Sequence, residues 1–238
     1  MCYHKSNKAE AKQLKAALNV PYPREDEHKI YYHANGFAHP DFPVLSNDNG
    51  KSINLYNWGL IPSWTKSWAD AAKLRNQTLN AKSETIFEKP AFRGSIMKNR
   101  CIIPVTGFFE WKHVEKNKIP YYIHPKEHPF FLLAGIYSKW MVPETNEWMT
   151  TYSVITTDAN TLMADIHNSA KRMPLMIDYR NIDTWLDTSL PKEGVIELMS
   201  PCDDRDMAAH IVSNILSSPK VDSNIPEITD EIPPITLF

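Results

Sequence analysis

Cys2, the second residue of the chain, offers the combination of groups best suited to covalent chemistry. Initiator methionine is normally removed when the second residue is small, so we expect a mature chain in which Cys2 carries a free α-amine beside its thiol. The pKa of an α-amine is about 7.8 against about 10.4 for lysine, so far more of it is neutral near pH 7.5. With an aldehyde this amine forms an imine, and the neighbouring thiolate can close a five-membered thiazolidine ring. The alternative is that Cys2 is an incidental residue on a frayed terminus.

Other side chains along the sequence have surroundings that suit proton transfer or binding. Glu110 stands between two aromatic residues, and a dry setting there would raise its pKa toward that of a useful general acid or base. Asn80 and Lys82 place an amide and a cation two residues apart, and His167 follows a predicted helix. Each also has an ordinary structural interpretation; Glu110, for example, can face solvent from an alternating strand.

The nine histidines do not form a metal-binding pattern. His124 and His128 have the spacing that places two ligands on one helix face, but Pro125 and Pro129 interrupt any such helix. The three cysteines, at positions 2, 101 and 202, form no C-x-x-C pair, and their odd number is typical of reduced thiols. We therefore expect no metal site and no cofactor.

The composition argues against several common enzyme classes. Among 238 residues there are only 7 glycines, and G-x-G-x-x-G, G-x-x-x-x-G-K-[ST] and G-x-S-x-G do not occur. Dinucleotide-binding sheets, P-loop NTPases and α/β-hydrolases are therefore disfavoured. The longest apolar stretch, residues 130–137, is far shorter than the roughly 20 residues that cross a bilayer. With no apolar region at its N-terminus, the chain is predicted to be cytoplasmic and not membrane-bound.

A formal net charge of −2 hides an uneven distribution of charge along the chain. Residues 66–118 contain 11 Lys and Arg against 5 Asp and Glu, whereas residues 183–238 contain 3 against 11. The basic segment is rich in aromatic residues, with Trp58 and Trp64 just before it. Interleaved cations and aromatic rings favour single-stranded nucleic acid, which needs charge neutralisation and base stacking. The alternative is that the aromatic residues form core and the lysines face solvent.

These residues must be positioned by a fold that the hydrophobic pattern predicts to be α+β. Ser6 is expected to cap a helix that runs to about Asn19. Further helices are expected at 67–79, 158–166, 179–187 and 193–199, and strands at 28–33, 53–58, 100–103, 107–113, 121–124, 130–137, 149–157 and 209–213. We predict a mainly antiparallel, barrel-like β core with peripheral helices, because the βαβα alternation of a parallel sheet is missing. Residues 1–218 would form one domain and residues 219–238 an acidic, proline-containing tail whose isoleucines can pack along the body.

Several segments, taken together and in order, resemble the SRAP family, the abasic-site processing proteins also called SOS response-associated peptidases. They are M-C at 1–2, W-G-L-I-P-S-W at 58–64, N-A-K-S-E-T at 80–85, R-C-I-I-P-V-T-G-F-F-E-W at 100–111, and D-I-H at 165–167 followed by R-M-P-L at 172–175. The resemblance covers roughly residues 1–215. It implies the SRAP fold, binding of single-stranded DNA, and capture of abasic sites through a thiazolidine link to the N-terminal cysteine.

The resemblance also implies roles for individual residues. Cys2 matches the crosslinking residue, Asn80 the active-site asparagine, Glu110 the glutamate and His167 the histidine. In the mechanism that we expect, His167 helps to open the deoxyribose ring, Glu110 orients and deprotonates the α-amine, and Asn80 holds the sugar or its phosphate. Arg172 follows His167 after extra residues at 168–171, so it is displaced from the family spacing.

The DNA-binding residues are expected on the basic and aromatic surface. Trp64 matches a family aromatic residue at the DNA, and Asn35 lies where the family has an asparagine. Lys82 stands where the family usually has arginine. With these we group Arg75 and Arg172, and the basic strip would also include Lys73 and Arg93. Tyr3 and His4 replace the flexible residue and the phosphate-binding arginine that usually follow the cysteine.

Two other functions are compatible with the same residues. One is an N-terminal-nucleophile peptidase in which Cys2 attacks a peptide, including its own bond to Met1, with His167 or Glu110 as base. The other is a binding module for single-stranded nucleic acid in which Cys2 forms no covalent bond. The crosslinking interpretation predicts single-stranded DNA with abasic sites as the partner, and we expect the protein to be a monomer.

Overall fold

The computed structural model describes residues 2–48, 50–218 and 221–233. Within these ranges the strands are β1 (His4–Asn7), β2 (Tyr31–Asn35), β3 (Asp41–Ser46), β4 (Ser52–Trp58), β5 (Asn80–Lys82), β6 (Arg100–Val105), β7 (Gly107–Val114), β8 (Asn117–Pro125), β9 (Phe131–Met141), β10 (Trp148–Asp158), β11 (Arg172–Pro174) and β12 (Met207–Ile211). The α-helices are α1 (Ala11–Leu18), α2 (Trp68–Gln77), α3 (Thr161–Ile166), α4 (Ile182–Leu186) and α5 (Lys192–Glu197).

Five strands close into a barrel in the order β10-β4-β3-β6-β9, because β9 also pairs with β10. The pairing is antiparallel except between β4 and β10, and the short strand β5 continues along the same edge of β10, also in parallel. Successive residues of these strands fall into two different hydrophobic clusters, as the period of two requires. The predicted α+β fold with a mainly antiparallel, barrel-like core is confirmed.

A second sheet packs against the barrel. Its order is β12-β8-β7-β1-β2, and all of its pairs are antiparallel. Its inner face joins alternate barrel residues in what we call the inner cluster, which includes Cys2, Val44, Phe108, Leu133 and Val154. The alternating residues on the other face of the barrel strands pack with α1 and with segment 86–97 in the outer cluster, which includes Leu14, Leu45, Ile96, Ile102 and Ile155.

The C-terminal segment closes both edges of the second sheet. At the β2 edge, the Asn224 Oδ1 atom accepts hydrogen bonds from the backbone N–H groups of Tyr32 and His33 at 2.9 and 3.1 Å. At the β12 edge, the Ile232 N–H group donates to the Ile211 carbonyl at 2.9 Å. Residues 221–233 of the predicted tail therefore lie along the body, whereas 219–220 and 234–238 lie outside the described residues.

The expected helix from Ser6 is wrong at its start. Ser6 lies in β1 between β2 and β7, whose edges take the backbone hydrogen bonds of this segment. The helix begins at Ala11, where Glu10 and Gln13 form a capping box, and it buries Leu14. The expected helix after Ser67 is found at Trp68–Gln77, with the Ser67 hydroxyl accepting from the Asp70 N–H group.

In the described part of the chain, no helix combines the length and the hydropathy that a membrane span needs.

Candidate active site around Cys2

The fold places Cys2 inside the protein rather than on a frayed terminus. Cys2 immediately precedes Tyr3 and β1, a strand held between β2 and β7, and its side chain is fully buried in the inner cluster. Burial raises the pKa of the Cys2 thiol to about 12, and the carboxylate of Glu110 acts in the same direction, while Lys5 opposes it. The resting thiol is therefore protonated, and ionisation requires a nearby proton acceptor.

Glu110 is brought to Cys2 by the pairing of β1 with β7, in which His4 lies opposite Phe109. The Glu110 side chain is buried, with 5% of its surface exposed. Burial raises the pKa of this carboxyl from 4.5 to about 7, because its charged form is desolvated. The group can therefore both give and accept a proton near neutral pH, which is the condition for general acid-base work.

His167 completes an acid-base pair with Glu110. It follows α3, and its Nδ1 atom lies 2.8 Å from the Arg172 carbonyl. Since a carbonyl oxygen only accepts hydrogen bonds, Nδ1 carries the proton and Nε2 has the lone pair in the neutral ring. Nε2 lies 3.9 Å from Glu110 Oε2, and burial lowers the pKa of His167. A neutral imidazole thus faces a carboxyl group that titrates near pH 7.

Arg172 supports this pair through its backbone, and its side chain turns to partners within the protein. The guanidinium contacts the Glu84 carboxylate, the Asp158 carboxylate at 3.0 Å and the Thr156 carbonyl at 2.7 Å. Only 8% of the residue is exposed. The guanidinium therefore has two acidic partners within the protein, and its contact with DNA stays a prediction.

Asn80 faces the inner cluster with an unsatisfied amide. In the parallel pairing of β5 with β10, Asn80 lies beside Val154 and Ala81 beside Ile155. Ala81 and Ile155 belong to the outer cluster, so Asn80 and Val154 face the inner cluster that contains Cys2. Both amide atoms of Asn80 are buried and have no hydrogen-bond partner among the described residues. Such groups are costly in a folded protein, which favours a ligand-binding role.

Of the remaining predicted DNA contacts, Asn35 and Lys82 are exposed. Asn35 ends β2 and lines a cleft of about 710 Å³ together with His4, His33 and Trp111. Its side-chain oxygen also accepts a hydrogen bond from a backbone N–H group two residues on. Lys82 ends β5, two residues from Asn80.

Trp64 and Arg75 occupy contrasting positions. Trp64 is 56% exposed and lines a second cleft, of about 580 Å³, together with Arg93. Arg75 is only 8% exposed. Its guanidinium contacts the Asn57 side chain and lies over the Trp68 ring. In the predicted basic strip, Lys73, Lys82 and Arg93 are exposed, whereas Arg75 is buried and contacts groups within the protein.

His4, at the position of the family arginine, is part of a neutral histidine pair. His4 Nδ1 and His33 Nε2 lie 2.8 Å apart, and His33 Nδ1 lies 2.6 Å from the Ser223 hydroxyl. Burial lowers the pKa of His4 to about 3 and that of His33 to about 4. The pair can exchange hydrogen bonds with a sugar or phosphate, but it does not supply the fixed positive charge of an arginine.

Lys5, which belongs to none of the sequence motifs, has a side chain that is fully buried in this region. A lysine close to Lys8 and Lys12 near an N-terminus is normally expected to face solvent. Once residues 4–7 are recognised as strand β1, the alternation of side chains along it could indicate that Lys5 points into the protein. Among the described residues, no group of three or more histidine, cysteine or acidic side chains is arranged to hold a metal ion.

Comparisons with known proteins find a matching family, similar sequences and a similar structure. The family model described as SOS response associated peptidase (SRAP) matches residues 1–219. The abasic site processing protein YoqW of Bacillus subtilis is 38% identical over 189 residues, covering 79% of this chain and 80% of YoqW. The abasic site processing protein HMCES of Gallus gallus is 32% identical over 187 residues, covering 70% of this chain and 54% of HMCES. A crystal structure of a protein from Bacteroides thetaiotaomicron has 40% identity and a TM-score of 0.90, covering 97% of this chain and 100% of that one.

Proposed function

This chain belongs to the SRAP family, and we propose that it processes abasic sites in DNA by forming a covalent bond between Cys2 and the sugar aldehyde. The observation that carries the proposal is the buried thiol of Cys2 beside the acid-base pair of Glu110 and His167. The curated relatives named as abasic site processing proteins support the substrate. The thiazolidine link follows from the chemistry of an N-terminal cysteine once Met1 has been removed.

The first step of the proposed mechanism opens the ring of the abasic deoxyribose. The lone pair on His167 Nε2 accepts the proton of the hydroxyl at C1′, and the protonated carboxyl of Glu110 gives its proton to the ring oxygen as the bond from C1′ breaks. This requires neutral His167 and protonated Glu110. The lowered pKa of His167 and the raised pKa of Glu110 favour that combination at and below neutral pH.

The second step forms the imine and the third closes the ring. The Glu110 carboxylate accepts a proton from the α-ammonium group of Cys2, the free amine adds to the aldehyde, and one water leaves. The Cys2 thiol then adds across the C=N bond: the sulfur loses its proton and bonds to the imine carbon, and the nitrogen takes up a proton. Ring closure protects the strand, because an open imine promotes cleavage by β-elimination. The unpartnered amide of Asn80 would hydrogen bond the sugar or its phosphate.

We propose single-stranded DNA as the form that this site accepts. The exposed residues Trp64, Lys82 and Asn35 would contact it, Trp64 by stacking on a base and Lys82 by neutralising a phosphate. Arg75 and Arg172 would act indirectly, since their guanidinium groups have partners inside the protein. We further propose that the protein acts as a monomer in the cytoplasm.

Intact-protein mass spectrometry tests the proposal, before and after incubation with a single-stranded oligonucleotide that carries one abasic site. We expect loss of Met1 and then a stable adduct with the mass of the oligonucleotide less one water. Cys2→Ser should give only an imine, which borohydride reduction traps, whereas the matched variant Cys202→Ser should crosslink normally. A processed Cys2 terminus that gives no adduct would exclude the covalent mechanism and leave peptide hydrolysis or simple DNA binding to be tested.

A further inference from the structure

Lys5 occupies an unusual position for a lysine. Its side chain is fully buried, and its Nζ atom lies 3.8 Å from the ring centre of Trp58, 4.1 Å from that of Phe42 and 4.6 Å from that of Tyr152. The same Nζ atom is 2.5 Å from the Tyr152 hydroxyl. A methionine or leucine would fill such an aromatic compartment without any polar group, so the amine calls for an explanation.

No carboxylate lies within ion-pair distance of Lys5 Nζ in the described parts of the chain. The titratable groups that face it are the Tyr152 hydroxyl on β10, the Cys101 thiol on β6 and the Cys2 thiol before β1. Burial lowers the pKa of Lys5 well below its usual value, and each of the two cysteines would raise it if ionised. Burial therefore favours the neutral form of this amine, whose lone pair can take up a proton.

Cys2 belongs to the same hydrophobic cluster as the three rings that enclose Lys5 Nζ, those of Phe42, Trp58 and Tyr152. Of the side chains that act on the Cys2 thiol, Glu110 opposes its ionisation and Lys5 favours it. A lone thiolate or a lone ammonium is expensive in an apolar interior, whereas a pair of opposite charges compensates much of that expense. Moving a proton from Cys2 to Lys5 creates such a pair and leaves the net charge unchanged.

We propose that Lys5 is the acid-base partner of the Cys2 thiol during ring closure, an inference that rests on the proposed function. The Cys2 S–H proton passes to the lone pair on Lys5 Nζ, and the sulfur bonds to the imine carbon. The electrons of the C=N double bond move to nitrogen, which takes a proton in turn, and the lysine ammonium returns its proton to solvent. Thiol and imine thus become thiazolidine, with no proton gained or lost overall. Glu110 thus accepts the proton of the α-ammonium group, whereas Lys5 accepts the proton of the thiol.

The decisive measurement separates imine formation from ring closure. Borohydride reduces an imine and leaves a thiazolidine unchanged, so quenching at timed intervals gives both rate constants by mass spectrometry. In Lys5→Met we expect imine formation at the wild-type rate and ring closure slowed at least about 100-fold, the lower end of the range for a lost proton-transfer group. The matched control is Lys8→Met, which removes an exposed lysine three residues away and should change neither rate. Equal ring-closure rates in Lys5→Met and wild type overturn the proposal.

The pH dependence distinguishes a proton acceptor from a packing residue. Without Lys5, ring closure depends on the thiolate that solvent generates, so its rate should rise about tenfold per pH unit between pH 6 and 9. The wild-type rate should rise less steeply, because the amine accepts the proton directly. Parallel profiles for the two proteins would assign Lys5 a structural role. If Lys5→Met does not fold, Tyr152→Phe keeps the amine and removes its hydrogen bond, and it should slow ring closure several-fold.

A small aldehyde separates this proposal from the proposed function. Processed protein is treated with glycolaldehyde in place of DNA, and the same two rate constants are measured. Slower ring closure in Lys5→Met with glycolaldehyde supports the role of Lys5 even if abasic DNA gives no adduct, in which case the proposed function alone fails. Normal ring closure with both aldehydes excludes the role of Lys5 and leaves the proposed function standing.

Discussion

Replacing Glu110 by glutamine should stabilise the protein at alkaline pH while it abolishes crosslinking. Glu110→Gln keeps the shape of the side chain and removes its titration. Burial raises the pKa of the folded carboxyl from 4.5 to about 7. Below about pH 4.5 the group is neutral in both the folded and the unfolded chain and destabilises neither. Above about pH 7 the folded protein must bury a carboxylate that the unfolded chain exposes to water, so stability is lost as the pH rises through this window.

The size of the effect follows from the two pKa values. A difference between 4.5 and about 7 corresponds to about 3 kcal/mol, since one pKa unit is equivalent to about 1.4 kcal/mol. The advantage of Glu110→Gln in unfolding free energy over wild type should therefore be about 3 kcal/mol larger at pH 8 than at pH 4.5. Using the difference between two proteins cancels most other titrating groups.

Urea denaturation at pH 4.5, 6, 7 and 8, followed by tryptophan fluorescence, measures this difference. Glu88→Gln is the matched control, because Glu88 is exposed and its replacement should give the same small change at every pH. Crosslinking to abasic DNA is assayed on the same preparations. An advantage for Glu110→Gln that does not change with pH, within about 0.5 kcal/mol, would refute the buried-carboxylate reasoning.

Three further changes have expected outcomes. Trp64→Ala removes an exposed ring, so it should leave thermal unfolding unchanged and weaken single-stranded DNA binding by about 1–3 kcal/mol in a fluorescence anisotropy titration. Asn80→Leu replaces a buried amide without partners, so unfolding free energy should rise by about 1–3 kcal/mol as crosslinking falls; unchanged stability would contradict this. In Gly107→Ala the new Cβ would lie 2.4 Å from the Tyr122 ring and destabilise the fold by about 1–3 kcal/mol, whereas Gly94→Ala, with nothing within 4 Å, should be silent by calorimetry.

The sequence predicted the fold class because the long strands carry their own signal. β9 and β10 alternate between two apolar faces, and residues 68–77 begin with a recognisable Ser-Asp cap. β5 and β11 escaped prediction because each has three residues and is stabilised only by pairing with β10. The sequence pattern does not separate β1 from the helix that follows, because its four residues precede a true helical pattern and only pairing with β2 and β7 makes it a strand.

The sequence predicted which residues belong to the candidate site but not the contacts between them. Glu110 between aromatic residues suggested a dry setting, and the raised pKa agrees with that expectation. The orientation of His167 depends on the Arg172 carbonyl, a backbone contact that no spacing reveals. The partners of Arg172 lie 14 and 88 residues away in the sequence, so its distance from the surface was not foreseeable. Lys5 was overlooked because charge alone indicated a solvent-facing residue.

Residues 221–233 cover both edges of the second sheet and should therefore lower the tendency of this protein to aggregate. An open strand edge offers unpaired backbone groups to any neighbouring β-strand and invites aggregation or domain swapping. Here one terminal segment shields the outermost strands at opposite sides of a sheet, through Asn224 and Ile232. A shortened chain that ends near residue 218 would keep Cys2, Glu110 and His167 but would expose the edges of β2 and β12, whose unpaired backbone groups can bind other strands. The thirteen residues 221–233 thus protect the sheet edges against pairing with other chains, at the opposite end of the sequence from Cys2.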